Sequence, residues 1–271
     1  MTFSIVATDG TSWGVAVASK FLAVGSAVPA AIAGIGAIAT QAEANVAYKP
    51  EGLALLDAGL TAGETLEALL AGDEGREHRQ AGIVDAAGTA ASHTGAECFD
   101  WAGGRTGHGY AIQGNILVGE QVVAAVESSW LGSDPASPLP HRLLAALAAG
   151  DAEGGDKRGR QSAALLVVRE GAGYGGGDDI AVDLRVDDHA APIAELARLL
   201  DLNDLYLTAS TEAEQVAVTP ELAAEVQGLV EAAGHPDLAA WVGTENYEMR
   251  VAGDGSWIDA RVLAILRGAA D

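Results

Sequence analysis

The chain has 271 residues, of which 49% are hydrophobic, 38 are acidic and 15 are basic, giving a formal net charge of −23 at pH 7. This hydrophobic content supplies a core and excludes global disorder. The negative charge argues against nucleic acid or an anionic membrane as a partner, and acidic residues spread along the chain are typical of a solvated surface.

The sequence contains no stretch typical of a signal peptide or a membrane span, because no run of 18 uncharged apolar residues follows a basic flank. The segment 21–40 comes closest, but its glycines and its proline suit buried strands and turns better. A single cysteine, Cys98, rules out a disulfide within the chain. Together these features predict a cytoplasmic protein.

The first predicted elements are two strands that form a hairpin. Residues 3–7 and 13–19 are rich in β-branched side chains and flank Asp9-Gly10, a pair typical of hairpin turns. Neither strand alternates cleanly between apolar and polar residues, so we expect both faces of their sheet to be covered. Antiparallel pairing about this turn places Thr2 opposite residues 17–19, with Lys20 one step further along.

Strands and helices then alternate in groups. A third strand at 35–42 precedes two helices, one starting at Pro50 and one at Thr61, where Thr61 and Glu64 match a capping box. The next segments are predicted strands at 80–85, 89–94 and 109–117, helices at 120–130 and 140–149, strands at 162–169 and 180–186, and a helix ending near residue 202.

Hairpins outnumber βαβ crossovers in this order, which predicts antiparallel sheets with the helices grouped in layers. The predicted class is therefore α+β, and a four-layer αββα sandwich is favoured over a doubly wound parallel sheet. We expect this domain to span 1–203, a polar linker to span 204–218, and a small helical domain to span 219–271.

Several common chemistries are not indicated. The sequence lacks a phosphate-binding P-loop, a dinucleotide fingerprint, a G-x-S-x-G elbow and metal-ligand spacing among its histidines, so we expect no metal and no cofactor. The glycine-rich loop 171–177 lies between two predicted strands, which favours a long hairpin. Cys98 has no histidine close in sequence and is interpreted as a neutral, partly buried thiol.

The first candidate group for chemistry is at the amino-terminal hairpin. Removal of Met1 would leave Thr2 with a hydroxyl and a free α-amine, which are a nucleophile and a base on one residue. An ammonium at Lys20 would lower the basicity of that amine and stabilise an alkoxide. The alternative interpretation makes Lys20 a solvated strand end.

Two further polar groups interrupt apolar sequence. Asn115 follows a glycine inside the strand "YAIQGNIL", where a buried amide is either an oxyanion donor or a purely structural group. The segment "GGDKRGR" contains Asp156 and Arg158 in the densest basic patch of the chain. That patch is either a solvated loop or a site that binds a carboxylate through an arginine fork.

Eight stretches in order over residues 1–202 carry a resemblance to a known family: "MTFSIVA", "GVAVASKFLAVG", "GIGAIATQAEAN", "GREHRQAGIVD", "TGAECFDWAGGRTG", "YAIQGNIL", "GGDKRGRQSAALLVVREGAGYGG" and "VDLRVDDH". In these stretches the sequence resembles a bacterial and archaeal family of unknown function assigned to the N-terminal nucleophile (Ntn) hydrolase superfamily. The segments "EAAGHPDLAAWVGTENYEMRV" and "IDARVLAILRG" resemble a peptidoglycan-binding-type helical domain.

The resemblance implies an αββα sandwich and amide hydrolysis, with Thr2 as the nucleophile after removal of Met1. The small side chain of Thr2 is compatible with that removal. Lys20 would tune the nucleophile and Asn115 would be a candidate oxyanion donor. The candidate substrate-binding residues are Ser19, Gln41, Asp156 and Arg158.

The predicted function is hydrolysis of a small amide, and a substrate that also carries a carboxylate is one alternative. The sequence does not distinguish hydrolysis from transfer of the acyl group. The alternative is a non-catalytic protein on the same scaffold, either binding a small molecule or serving a structural role. The expected partner is a small-molecule substrate, without nucleic acid or membrane, and a homo-oligomer is compatible with the sequence. We interpret the C-terminal module first as a packing or dimerisation element.

Overall fold

The structure is a computed structural model that describes residues 2–268. Contacts within the chain divide it after Leu200 into two compact units, each with its own apolar core. None of the described helices has the length and the apolar composition needed to cross a bilayer.

The strands of the first unit form two antiparallel sheets. In chain order they are β1 (Thr2–Thr8), β2 (Trp13–Ser19), β3 (Pro29–Ile32), β4 (Gly36–Ala42), β5 (Arg79–Asp85), β6 (Ala90–Thr94), β7 (Gly103–Gly107), β8 (Tyr110–Asn115), β9 (Ser162–Val168) and β10 (Ile180–Val186). One sheet has the order β10-β9-β2-β1-β8-β7 and the other has the order β3-β4-β5-β6. Strand β1 therefore lies inside the larger sheet.

The helices of the first unit are α1 (Val24–Ala27), α2 (Tyr48–Asp57), α3 (Ala62–Ala71), α4 (Gln121–Gly132), α5 (Leu139–Ala152) and α6 (Pro192–Leu207). All but the short helix α1, whose Val24 packs between the sheets, cover the outer sides of the sheets. One face of the larger sheet packs on α4, α5 and α6, and the smaller sheet packs on α2 and α3. A third apolar cluster, which includes Val6, Val15 and Val84, joins the two sheets.

Burial on both sides explains why the first two strands do not alternate. Every residue of β1 and of β2 is buried, which confirms the prediction that both faces of this sheet are covered. The mixed α+β composition with antiparallel sheets is likewise as predicted.

The hairpin between β1 and β2 sets the position of Thr2. Thr2 pairs with Ser19, at the far end of the range expected from a turn at Asp9-Gly10. The partner of Thr2 lies at residue 19 because the loop between the strands holds the four residues 9–12 rather than two. The Asp9 carboxylate stabilises this loop by accepting hydrogen bonds from the backbone N–H groups of Thr11 and Ser12.

Strands β3 and β7 were not predicted, and both lie at sheet edges. Strand β3 begins with Pro29, and β7 reads "GGRTG", without an apolar side chain. Edge strands tolerate proline and glycine because one side of their backbone is unpaired, so these two lack the composition that identifies a strand.

The second unit, which begins at Asp201, contains a helical region around a two-stranded antiparallel sheet. Its elements are β11 (Gln215–Ala217), α7 (Pro220–Ala232), α8 (Leu238–Glu245), β12 (Trp257–Asp259) and α9 (Ala260–Leu266). Of the predicted linker, residues 204–207 belong to α6 and residues 215–217 form β11.

Candidate functional site

Thr2 begins β1 and is held between two neighbouring strands. It pairs with Ser19 of β2 on one side and with Asn115 of β8 on the other. Its side-chain oxygen lies 3.1 Å from the Ser19 hydroxyl oxygen, and 5% of the residue is exposed. Met1, whose removal would free the α-amine of Thr2, lies outside the described residues.

Two side-chain amides bind the backbone carbonyl of Thr2. Gln41 Nε2 donates to this oxygen at 3.3 Å and Asn115 Nδ2 donates to it at 3.4 Å. Asn115 Nδ2 also donates to Gln80 Oε1 at 2.9 Å. Gln41 comes from β4, so residues of both sheets meet at Thr2.

A buried layer of amides and hydroxyls extends from Thr2 between the sheets. Ser4 donates to Gln41 Oε1 at 2.7 Å and accepts from Gln113 Nε2 at 2.6 Å. Gln80 Nε2 donates to the Gly114 carbonyl at 2.8 Å and to the Thr94 hydroxyl at 2.9 Å. These hydrogen bonds fix the side chains and offset the cost of burying them.

Most of this layer was missed by sequence reasoning. Ser4 and Gln113 lie in strands that are otherwise apolar, and each lies two residues from a predicted site residue, Thr2 or Asn115. A spacing of two places side chains on one face of a strand. That signal, a polar residue two positions from Thr2 or Asn115, identifies Ser4 and Gln113.

Asp156, Lys20 and Arg158 form a second group next to Ser19. The buried Asp156 carboxylate accepts from the backbone N–H groups of Lys20 and Arg158, both at 2.8 Å. It also forms an ion pair with the Arg158 guanidinium at 3.4 Å. Asp156 therefore ties the end of β2 to the loop that precedes β9.

Lys20 reaches away from the hairpin. Its side chain is exposed, and its ammonium donates to the Arg160 carbonyl oxygen at 3.2 Å. The structure thus brings together Thr2, Ser19, Asn115 and Gln41 by direct hydrogen bonds. Lys20 joins that group through its backbone, as the residue after Ser19.

A cavity of about 180 Å³ lies beside this group. It is lined by Ala42, Glu43, His78, Glu97, Cys98, Phe99, Asn115, Ile116 and Arg158. Asn115 is thus in contact with both Thr2 and the cavity. The lining offers one guanidinium, two carboxylates and an amide to a ligand.

Cys98 lies in the wall of this cavity and acts there as a neutral group. Burial raises the pKa of its thiol above the ordinary value of about 9. The sulfur donates to the Arg79 carbonyl oxygen at 3.4 Å. A thiol in this state is a poor nucleophile at neutral pH, in line with the sequence-based interpretation.

Two family models match the chain. Residues 2–196 match "Family of unknown function (DUF1028)", and residues 222–266 match "Putative peptidoglycan binding domain". No curated protein matches.

Solved structures give a second comparison. Protein SPO2555 from Silicibacter pomeroyi, described by its family model as DUF1028, is 32% identical with a TM-score of 0.67, over 75% of this chain and 89% of that one. The ancestral beta-subunit Anbu from Yersinia bercovieri is 11% identical with a TM-score of 0.34, over 74% of this chain and 94% of that one. On the match over residues 2–196 and the similarity to SPO2555, this chain belongs to the DUF1028 family of unknown function, and its residues 222–266 form a peptidoglycan-binding-like domain.

Proposed function

We propose that this protein is an amide hydrolase of the N-terminal nucleophile type, in which Thr2 is the nucleophile once Met1 has been removed. The observation that carries the proposal is the group around Thr2. Its hydroxyl lies 3.1 Å from the Ser19 hydroxyl, its carbonyl is held by two amides, and one of those amides lines a cavity.

The packing of the first unit supports the αββα sandwich that this proposal requires. Two antiparallel sheets face each other through the apolar cluster that contains Val6 and Val84, and helices cover both outer faces. A nucleophile at the start of an internal strand is held on both sides by backbone hydrogen bonds, so its hydroxyl has a fixed position.

In the proposed reaction, Thr2 Oγ1 attacks the carbonyl carbon of the amide. The hydroxyl proton passes to the free α-amine of Thr2, and a C–O bond forms as the carbonyl oxygen gains negative charge. The C–N bond then breaks, and the α-amine returns the proton to the departing amine. Water hydrolyses the resulting ester, releasing the acid and restoring the hydroxyl.

Ser19 and Asn115 have separate roles in this scheme. The Ser19 hydroxyl orients Thr2 Oγ1 through their mutual hydrogen bond. Asn115 is the candidate oxyanion donor, because its bond to the Thr2 carbonyl is long, at 3.4 Å, and a negatively charged oxygen would displace it. Gln41 positions the Thr2 backbone from the other sheet.

Asp156 and Arg158 complete the proposed site. Asp156 accepts hydrogen bonds from the backbone N–H groups of Lys20 and Arg158. Through its backbone, Lys20 therefore helps to position the neighbouring Ser19. Arg158 lines the cavity together with Glu43 and Glu97. A cavity of about 180 Å³ with both signs of charge fits a small amide that carries a carboxylate and an ammonium group.

The first test is the mass of the intact protein purified from its native host. A chain that begins at Thr2 lacks one methionine and has a free threonine amine. We expect this form. A sample in which every molecule retains Met1 would overturn the proposal.

The second test labels the nucleophile without knowledge of the substrate. A β-lactone acylates an activated hydroxyl with opening of its ring, and peptide mass spectrometry locates the adduct. We expect the adduct on Thr2, its loss in Thr2→Ala and its retention in Thr2→Ser, with the protein in the chain form that begins at residue 2. Thr8→Ala is the matched control, since Thr8 is buried at the other end of the same strand.

The alternative function is binding without catalysis, and one observation favours it. Thr2 is 5% exposed and its hydroxyl is already hydrogen-bonded. Equal labelling of the wild type and Thr2→Ala, or no labelling of a chain that begins at Thr2, would favour this alternative. Turnover of small amides by the wild type and by Thr2→Ser alone would exclude it.

A further inference from the structure

A second cavity lies at the opposite end of β1 from Thr2. It measures about 390 Å³ and is lined by Thr8, Asp9, Gly10, Ala86, Ala87, Gly88, His108, Gly109, Trp130, Leu131, Ser133, Pro135 and Arg142. The six-residue rise from Thr2 to Thr8 separates the two ends of the strand by about 20 Å. This cavity is therefore distinct from the site proposed around Thr2.

Arg142, on α5, has one edge of its guanidinium fixed within this cavity wall. Its Cζ atom lies 4.0 Å from the centre of the Trp130 ring, and its Nε donates to the Ser133 hydroxyl at 2.8 Å. The Ser133 hydroxyl in turn donates to the Trp130 carbonyl at 2.6 Å. Stacking on tryptophan and one hydrogen bond orient the guanidinium plane and leave its Nη1 and Nη2 atoms as donors.

Arg142 forms no ion pair with a carboxylate in the part of the chain that the structure describes. Ten of the twelve arginines form ion pairs there. Because acidic residues far outnumber basic ones, the chain has no shortage of carboxylates for the other two. The other two are Arg169, which is exposed, and Arg142, which is half-buried. A partly desolvated guanidinium without a directly bonded carboxylate is a costly arrangement.

Burial lowers the pKa of the Arg142 guanidinium, although the charges of Asp9 and Asp134 act in the opposite direction. Both carboxylates accept hydrogen bonds from backbone N–H groups of their own loops. They therefore favour a cation nearby without binding the guanidinium directly.

We propose that this second cavity binds a small organic monocarboxylate, whose two oxygens accept hydrogen bonds from Nη1 and Nη2 of Arg142. A guanidinium fork matches the geometry of a carboxylate. The nearby charges of Asp9 and Asp134 favour a monoanion over a dianion such as phosphate. A volume of about 390 Å³ accommodates an organic body in addition to the carboxylate.

The experiment is isothermal titration calorimetry of the full chain with sodium benzoate at constant ionic strength. Benzoate is a monocarboxylate with an apolar body. We expect saturable binding to the wild type, a loss of at least tenfold in affinity for Arg142→Met, and a smaller loss for Arg142→Lys, which keeps the charge but not the fork. Arg169→Met, which removes the exposed unpaired arginine, is the matched control and should bind as the wild type does.

Three results would overturn the proposal. They are the absence of saturable binding to the wild type, unchanged binding by Arg142→Met and Arg142→Lys, and binding of inorganic phosphate that is as tight as that of benzoate. Circular dichroism verifies that each variant is folded, and Arg142→Lys alone decides if Arg142→Met does not fold. Thr2→Ala should bind benzoate normally, which separates this proposal from the function proposed for Thr2.

Discussion

At the scale of single residues, the side chain of Gln41 forms hydrogen bonds with several members of the candidate site. Its Nε2 donates to Gln80 Oε1 at 2.8 Å and, at 3.3 Å, to the carbonyl oxygens of Thr2 and Gln113. Its Oε1 accepts from the Ser4 hydroxyl. One fully buried amide therefore joins both sheets next to the proposed nucleophile.

Replacing Gln41 by leucine should destabilise the protein by about 3 kcal/mol, because several buried polar atoms lose a partner at once. Urea unfolding of the full chain measures this change. Gln121→Leu, at an exposed position on α4, is the control and should lie within about 0.5 kcal/mol of the wild type. Equal stability of the two variants would mean that the buried layer contributes no net stability.

At the candidate site, the backbone neighbours of Thr2 could be predicted from the sequence, whereas the directions of the side chains could not. Strand register follows from a hairpin, so the neighbours of the Thr2 backbone could be predicted to within two residues. The direction of a long flexible side chain does not follow from register. Lys20 illustrates this, since its ammonium reaches the Arg160 carbonyl, 140 residues away in sequence.

At the scale of elements, two glycines show how closely the first unit is packed. A Cβ atom on Gly14 of β2 would lie 2.8 Å from Leu143 of α5 and from the backbone oxygen of Leu166. A Cβ atom on Gly63 of α3 would have no neighbour within 4 Å. The same substitution should therefore act in opposite directions at the two positions.

Gly14→Ala should destabilise the first unit by about 2 kcal/mol, because neither the strand backbone nor α5 can move apart without loss of packing. Gly63→Ala should stabilise it by about 0.5 kcal/mol, because alanine restricts the unfolded chain and favours the helix. Thermal and urea unfolding compare the two variants with the wild type. A stabilising effect of Gly14→Ala would contradict the close approach of β2 and α5.

Elements with a local signal could be predicted, and elements defined by their partners could not. The capping box of α3 is confirmed: Thr61 accepts from the Glu64 backbone N–H, and the Glu64 carboxylate accepts from that of Thr61. That motif is complete within four residues. Strand β7, by contrast, is a strand because β8 pairs with it, and its own residues carry no such signal.

At the scale of the whole molecule, the described residues of each compact unit pack around apolar clusters of their own. The C-terminal segments of the sequence predict a small helical domain, and the helical region is present. Short segments such as 215–217 have too few residues for a periodic pattern, so β11 becomes evident only through its pairing with β12.

The core of the second unit is anchored by a buried ion pair. Arg250 and Asp259 are 5% and 1% exposed, and Arg250 Nη1 lies 3.0 Å from Asp259 Oδ2. Arg250 also donates to the backbone carbonyls of Asp204 and Leu205. Its guanidinium therefore ties the end of α6 to the strand β12 and the helix α9.

Arg250→Met should destabilise this unit by about 4 kcal/mol, because Asp259 would be left as an unpaired buried charge. Hydrogen exchange with mass spectrometry measures the effect, and peptides that cover β12 and α9 should lose protection. Arg267→Met is the matched control, since its ion pair with Glu225 is exposed and screened by solvent, and protection should stay as in the wild type. Unchanged protection of β12 in Arg250→Met would show that apolar burial alone holds this core, and that the ion pair serves no structural purpose in it.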